Sequence, residues 1–385
     1  EVAGLKVGDG ILSVDGHLPT LPHRALNGRT GTSATLVVRR PGRTEPFEVT
    51  LTRGPAAGNF RNFSLSDVLE DRDGKLWFGL SWGGEILCFD TRRADAETAW
   101  RLYKPADGLD VGDGPRIAQT RDGAIWTASI DPGGGVNRFD GTAWTHVRMS
   151  EQGGNNVNTS ILETGDGILW VGGLDGLLYA FREGAWTRYA PPEVPLPTVR
   201  LIELLEASDG AIWAVGLGQE AVRLDYGTSR WATYENLNFR AEAPDGSLWF
   251  VSRDNSVVRF DGVRWTRYDK DDGLMGVPQT LIATREGTIW AAGGHQNRTA
   301  TARFEPAGTS MSRKPWTLQY HPQSFRMVDY NGILQLSSGA LWFGTLGKRG
   351  VLQFDDGLWT YYTSAEVLVN PYAIEQTADG VLWVG

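Results

Sequence analysis

The groups in this chain that could do chemistry are short runs of carboxylates and a thin scatter of histidines. Asp71–Asp73 (DRD) and Asp269–Asp272 (DKDD) bring oxygens close together, as a calcium site requires. A calcium loop also needs oxygens at alternate positions and a distant Glu. Neither stretch supplies them, so both read as solvated carboxylates in turns. The five histidines, His17, His23, His146, His295 and His321, show no HExxH and no paired spacing, so no metal site is expected. There is no G-x-S-x-G nucleophile elbow, although a Ser-His-Asp arrangement assembled in space stays open. GHQNR (Gly294–Arg298) is the most polar loop sequence, and no motif asks for a cofactor.

The elements that must position these groups come from a repeat. DGKLWFG at Asp73 returns as DGAIWTA, DGILWVG, DGAIWAV, DGSLWFV, EGTIWAA, SGALWFG and DGVLWVG. Its tryptophans are Trp77, Trp126, Trp170, Trp213, Trp249, Trp290, Trp342 and Trp383, a period of about 44 residues. A second signature, such as FDGTAWTHV or FDGVRWTRY, carries Trp100, Trp144, Trp186, Trp231, Trp265, Trp316 and Trp359. Of the 16 tryptophans only Trp82 lies outside the two signatures. Within one unit, SDVLE runs into an Asp-Gly turn that tolerates positive φ. KLWFGL alternates large and small residues at period two, and EILCFD and AWRLY follow after further turns. Four short antiparallel strands per period make a propeller blade, which must stack on neighbours to bury its faces. The fold class is therefore all-β, a β-propeller of four-stranded blades with seven complete repeats plus the start of an eighth. Seven or eight blades are compatible with the uneven spacing, and seven is the expected number. The tryptophans are read as core between blades, not as a ligand cage. Arg188 and Arg267 of the WTRY segments fall on fourth strands, where charge blocks edge pairing.

The chain has 385 residues, 41% apolar and 22% charged, and a formal net charge of −9. That balance suits a soluble globular protein and disfavours nucleic acid as a partner. No apolar run is long enough to span a membrane, and Cys88, the single cysteine, has no intrachain partner.

No tryptophan is followed by Asp, as the WD signature needs. The double glycines are too irregular for kelch, and the Asp-Gly pairs lack the intervening residue of the sialidase Asp-box. VLEDRDGKLWFGLSWGGEILCFD (Val68–Asp90) and LSSGALWFGTLGKRGVLQFD (Leu336–Asp355) instead resemble the two-component regulator propeller repeat. The resemblance runs from about Phe60 onward and is looser around Trp213, Trp249 and Trp290, where the Gly-Thr after the aromatic is lost. It implies the extracytoplasmic sensor part of a bacterial membrane signalling protein, with a kinase, cyclase or DNA-binding output beyond Gly385. AGLKVGDGILSVDG (Ala3–Gly16) and ATLVVRRPGRTEPFEVTLTR (Ala34–Arg53) resemble the latter part of a bacterial protease-type PDZ domain. That likeness implies a helix at His23–Leu26, a final hairpin, and a peptide groove completed upstream of Glu1. The expected organisation is residues 1–54 PDZ-like, 55–62 linker and 63–385 propeller, in a piece of a larger protein.

If a site exists, propeller geometry places it on the rim formed by the loops between second and third strands and the links between blades. Its polar members are Trp82, Asp131, Asp175, Gln219, Arg253, Asp254, His295, Asn297, Arg298, Lys348 and Arg349. The expected function is a non-enzymatic sensor module, periplasmic in its parent protein, binding a small molecule, glycan or protein on one face. The alternative from another class is a propeller enzyme, a lyase or glycan hydrolase. A convergent cluster of carboxylate, His or Arg at the channel mouth would favour the enzyme.

Overall fold

A computed structural model describes residues 10–14, 33–39, 45–52, 64–81, 84–93, 99–110, 112, 114–129, 135–153, 158–190, 194–195, 201–216, 220–225, 229–296, 298–305, 314–321, 326–327, 333–346, 351–362, 374–378 and 380–384. The N-terminal residues form a three-stranded antiparallel sheet of Gly10–Val14, Ser33–Arg39 and Phe47–Thr52. The last two strands pair from Ser33 opposite Thr52 to Val38 opposite Phe47, which is the expected hairpin. The helix expected at His23–Leu26 and the linker at 55–62 lie outside the described residues.

Every later sheet is built on the repeat. Blade 1 comprises Ser64–Glu70, Lys75–Ser81, Ile86–Asp90 and Trp100–Tyr103, hydrogen-bonded in that order. Blade 2 comprises Arg116–Gln119, Ile125–Ala128, Val136–Phe139 and Trp144–Val147. Blade 3 runs from Asn158–Glu163 to Ala185–Tyr189, blade 4 from Leu201–Glu206 to Arg230–Tyr234, and blade 5 from Leu237–Glu242 to Trp265–Tyr268. Blade 6 comprises Val277–Ala283, Ile289–His295, Arg298–Phe304 and Trp316–Tyr320. In blade 7 the innermost position is split into Arg326–Met327 and Ile333–Gln335, both paired with Leu341–Leu346. Ile374–Gln376 and Leu382–Val384 form a hairpin from the eighth repeat.

First strands of successive blades lie against one another, so they converge on the ring axis while the fourth strands form the periphery. Between blades, the two tryptophan signatures meet. Trp77 of blade 1 packs against Phe139 and Trp144 of blade 2, with ring centroids 5.6 and 6.3 Å away. The same trio recurs as Trp126 with Phe181 and Trp186, Trp249 with Phe304 and Trp316, and Trp290 with Phe354 and Trp359. The second-strand Trp77, Trp126, Trp170, Trp213, Trp249, Trp290 and Trp342 are almost wholly buried, which at about 25 cal/mol per Å² is worth ~4–6 kcal/mol each as an upper bound. The reading of these side chains as inter-blade core holds. Fourth-strand tryptophans are more varied, and Trp265 is 47% exposed.

The ring size corrects the expectation of seven. The Ala378 backbone N–H donates to Glu70 Oε2 at 2.6 Å, and Ile374 and Leu382 pack with Trp342 of blade 7. The eighth hairpin thus sits between blade 7 and blade 1, and the ring closes with eight positions. Uneven loop lengths hide this in the sequence, because spacing reports loops and not angular step.

Candidate functional site

Most polar groups that recur with the repeat are occupied by the fold. Asp71 is buried; its carboxylate accepts the Asp73 and Lys75 N–H groups at 2.9 and 2.8 Å and Trp77 Nε1–H at 2.8 Å. Thr120 and Ser247 hydroxyls do the same for Trp126 and Trp249, both at 3.0 Å. In the second carboxylate run, Asp269 and Asp272 close a capping box around a single 3-10 turn, Lys270–Asp272. Among the described residues no group of three His, Cys, Asp or Glu side chains is arranged to hold a metal ion.

A second recurrence was not read from the sequence. The last residue of a first strand accepts a hydrogen bond from the turn of the preceding blade. Gln119 accepts from Arg72 N–H at 2.9 Å, Glu163 from Arg121 at 3.0 Å, and Glu206 from Gly165 at 2.7 and 2.8 Å. Glu242 accepts from Ser208 at 2.7 Å, Gln335 from Arg285 at 2.8 Å, and Gln376 from Ser337 at 2.6 Å. Glu70, accepting from Ala378, does the same at the seam between the eighth repeat and blade 1. The seam between blades 5 and 6 has Pro244 as would-be donor and Ala283 as would-be acceptor, so donor and acceptor are missing together. The Glu or Gln before each turn was the available signal.

The inner strands carry a cluster that the sequence reading also missed. Glu203 of blade 4 pairs with Arg240 of blade 5 at 3.4 Å, and both are largely buried. Burial pushes the Glu203 carboxyl above the ordinary range, opposed by Arg240 and then by Arg116 of blade 2. Asp67 of blade 1 is likewise raised by burial, opposed by Arg116, while Oδ2 accepts Ile117 N–H at 2.8 Å. Glu375 of blade 8 is raised by burial and by the charges of Asp67 and Glu70. Arg116 donates to the Ser66 carbonyl at 3.2 Å.

On the opposite rim, Trp82, Asp131, Gln219, Asn297, Lys348 and Arg349 lie outside the described residues. Asp175 accepts Leu177 N–H at 3.1 Å and Asp254 accepts Ser256 N–H and Oγ–H at 3.2 and 2.8 Å, so both carboxylates shape their own turns. Asp254 also pairs with Arg267, tying that arginine to its own blade. Arg253 N–H donates to the Asn236 carbonyl at 3.0 Å, and the exposed Arg298 sits opposite His295 in the blade 6 hairpin. Among the described residues of this rim, Asp175, Arg253 and Asp254 are thus each engaged within their own blade.

His295 lines a cavity. This space, about 390 Å³, is bounded by Lys270 and Leu274 of the link between blades 5 and 6, by His295, and by Lys314, Trp316 and Leu318 at the outer strand of blade 6. Its shape depends on Gly273, with φ +92°, where a Cβ would fall 2.3 Å from the Trp316 carbonyl oxygen. The other described histidines are engaged within the fold. His146 Nδ1 meets Asn137 Oδ1 at 3.0 Å and Nε2 lies 3.5 Å from Asp110. His321 is buried against Thr301 and Tyr361, at 2.8 and 3.2 Å.

With this geometry in place, comparisons agree on the fold. The solved Dos1 propeller superposes with a TM-score of 0.57 at 13% identity, covering 84% of this chain and 90% of that one. A catalytically inactive virginiamycin B lyase from Staphylococcus aureus, solved with quinupristin, gives 0.51 at 14% identity, covering 74% and 93%. The extracellular domain of a putative hybrid two-component system from B. thetaiotaomicron gives 0.48 at 13%; the chain covers 54% of that structure's length and 93% of its own. No curated protein sequence matches the chain. Among the described residues no helix is long and apolar enough to cross a membrane. Residues 151–175, the link into blade 3 and its first hairpin, match the family described as two component regulator propeller, so the ring is a β-propeller similar to that family in its third repeat.

Proposed function

We propose that this ring is a non-enzymatic sensor module of a larger bacterial signalling protein, exposed outside the cytoplasm and binding a small molecule, glycan or protein on one face. The observation that carries this reading is the match of residues 151–175 to the two-component regulator propeller family. The assignment of turn carboxylates and rim aspartates to hydrogen bonds within the fold supports it, because these groups are committed to structure. The N-terminal sheet, read as the latter part of a PDZ-like domain, would in the intact protein add an extended peptide at a sheet edge. The test is a thermal-shift screen of small molecules and glycans, with each stabilising compound re-examined by mass spectrometry after long incubation. Recovery of the compound unchanged is expected; its conversion would overturn the reading.

A second reading, a propeller lyase or glycan hydrolase, is favoured by one observation. Glu203, Arg240, Arg116 and Asp67 bring opposite charges together on the inner strands, and burial raises both carboxyls. Perturbed groups of this kind cluster at active sites, although structural ion pairs produce them too. Under that reading Glu203→Gln abolishes the conversion found in the same screen and leaves binding in place.

A further inference from the structure

One position of the repeat changes character at the seam that closes the ring. The first-strand residue opposite the motif tryptophan is Leu69, Ala118, Leu162, Leu205, Ala241, Ile282 and Leu334 in blades 1 to 7. Directly opposed residues share a face of the sheet, so this residue points, like its tryptophan, at the following blade. Leu69, Leu162, Leu205, Ala241, Ile282 and Leu334 accordingly pack into the apolar clusters of their seams. In the eighth repeat the residue opposite Trp383 is Glu375. A carboxylate stands where the other blades place an aliphatic side chain.

The side of blade 1 that receives it is acidic. Glu375 is half-buried, and burial raises its carboxyl above the ordinary range, reinforced by the charges of Asp67 and then Glu70. Both belong to the first strand of blade 1, Ser64–Glu70, against which Ile374–Gln376 lies. Arg116 of blade 2 acts on Asp67 and donates to the Ser66 carbonyl at 3.2 Å. Among the described residues no cation offsets the charge of Glu375 itself. The other strands in contact with it, Ile333–Gln335 of blade 7 and Leu382–Val384 of its own hairpin, carry no charged residue. By contrast, Glu203 on the inner strand of blade 4 has Arg240 of the next blade 3.4 Å away.

The sign of the effect follows from the direction of the shift. A carboxyl raised in the folded state contributes fully to closure below its ordinary value of 4.5, and that contribution is lost as pH rises through the raised value. The bond that spans the seam, from Ala378 N–H to Glu70 Oε2 at 2.6 Å, lies three residues from Glu375 and holds against this repulsion. We propose that the closing seam is a proton-operated latch: with Glu375 protonated the eighth hairpin seats against blade 1, and ionisation of Glu375 beside Asp67 and Glu70 loosens it. The response is confined to the point where the last repeat meets the first. It goes beyond the sensor reading and does not depend on which ligand the ring takes.

The experiment follows amide hydrogen exchange at Ala378 in the full chain between pH 5 and 8, in wild type, Glu375→Gln and Glu375→Leu. Each rate is divided by the intrinsic rate at that pH, so that protection alone is compared. Wild-type protection should fall at least about threefold as pH rises, the scale of partly exposed charge interactions. Both variants should be flat across the range and, at pH 8, better protected than wild type by the same factor. The Gly165 amide, bonded to Glu206 between blades 3 and 4, is the control and should behave alike in all three proteins. Glu375→Gln keeps the shape of the side chain and Glu375→Leu restores the residue type of the other seams, so either folded variant decides the matter. Wild-type protection indifferent to pH overturns the proposal. So does a folded variant that keeps the wild-type pH dependence or that loosens the seam at pH 8.

Discussion

Glu206 offers the cleanest measure of how the ring is held together. Both its carboxylate oxygens lie within hydrogen-bond distance of Gly165 N–H, and replacing it with Ala leaves that N–H to solvent. A hydrogen bond to a charged group is worth ~1.5–3 kcal/mol when buried. The pair is exposed, so screening and hydration reduce the cost to ~1 kcal/mol. For a ring of this size that lowers the melting temperature by only about 1–2 °C, so urea denaturation is the better assay. The seam between blades 5 and 6 supplies the reciprocal test, because Pro244 has no N–H and Ala283 no acceptor. Ala283→Glu alone gains nothing there, and Pro244→Ser alone loses about 0.4–1 kcal/mol through the freer unfolded chain. Together they create the missing bond, with a favourable coupling of ~1 kcal/mol in a double-mutant cycle. A coupling of zero, or a Glu206→Ala as stable as wild type, would refute the idea that these residues fasten adjacent blades.

Three further outcomes follow from individual residues. Burial holds His321 at a pKa of about 4 against an ordinary 6.5, so the folded state keeps it neutral. The unfolded chain then binds more protons between those values, and stability present above pH 6.5 is lost as pH falls toward 4, by up to ~3 kcal/mol. Urea midpoints at pH 7 and 4.5 should differ less in His321→Gln than in wild type; an equal difference counts against the linkage. Gly273→Ala forces a Cβ into the Trp316 carbonyl at a positive φ, and should destabilise by ~1–3 kcal/mol, read as a urea midpoint. Cys88 is buried and its thiol is pushed up to about 12 by that burial, so the native protein should resist alkylation that proceeds readily in urea, as followed by mass spectrometry.

The propeller was legible because its tryptophans are the cement between blades, and a seam residue must recur wherever a seam does. The ring number was not legible. It depends on Ala378 reaching Glu70 across the whole chain, and no local spacing reports that contact. Glu206 and its equivalents were not singled out in the sequence, since a carboxylate at a rim needs no partner until a neighbouring blade supplies an N–H. On the other rim six of the polar residues chosen by loop position lie outside the described residues. Asp175 and Asp254 are polar because their turns need an acceptor, whereas His295 belongs to a cavity whose lysines sit on the inter-blade link and near the outer strand. The Glu203–Arg240 pair escaped notice because each residue interrupts an apolar strand in a different repeat and gains meaning only at their seam.

Closure of the eighth repeat onto the first is best tested by amide hydrogen exchange at Ala378 in wild type and Glu70→Ala. Removing the carboxylate should speed exchange at Ala378 by about fivefold to tenfold, the equivalent of ~1–1.4 kcal/mol, while Ser337 N–H, bonded to Gln376, stays as protected as before. Exchange at Ala378 that is indifferent to Glu70 would mean that the ring does not close through this contact.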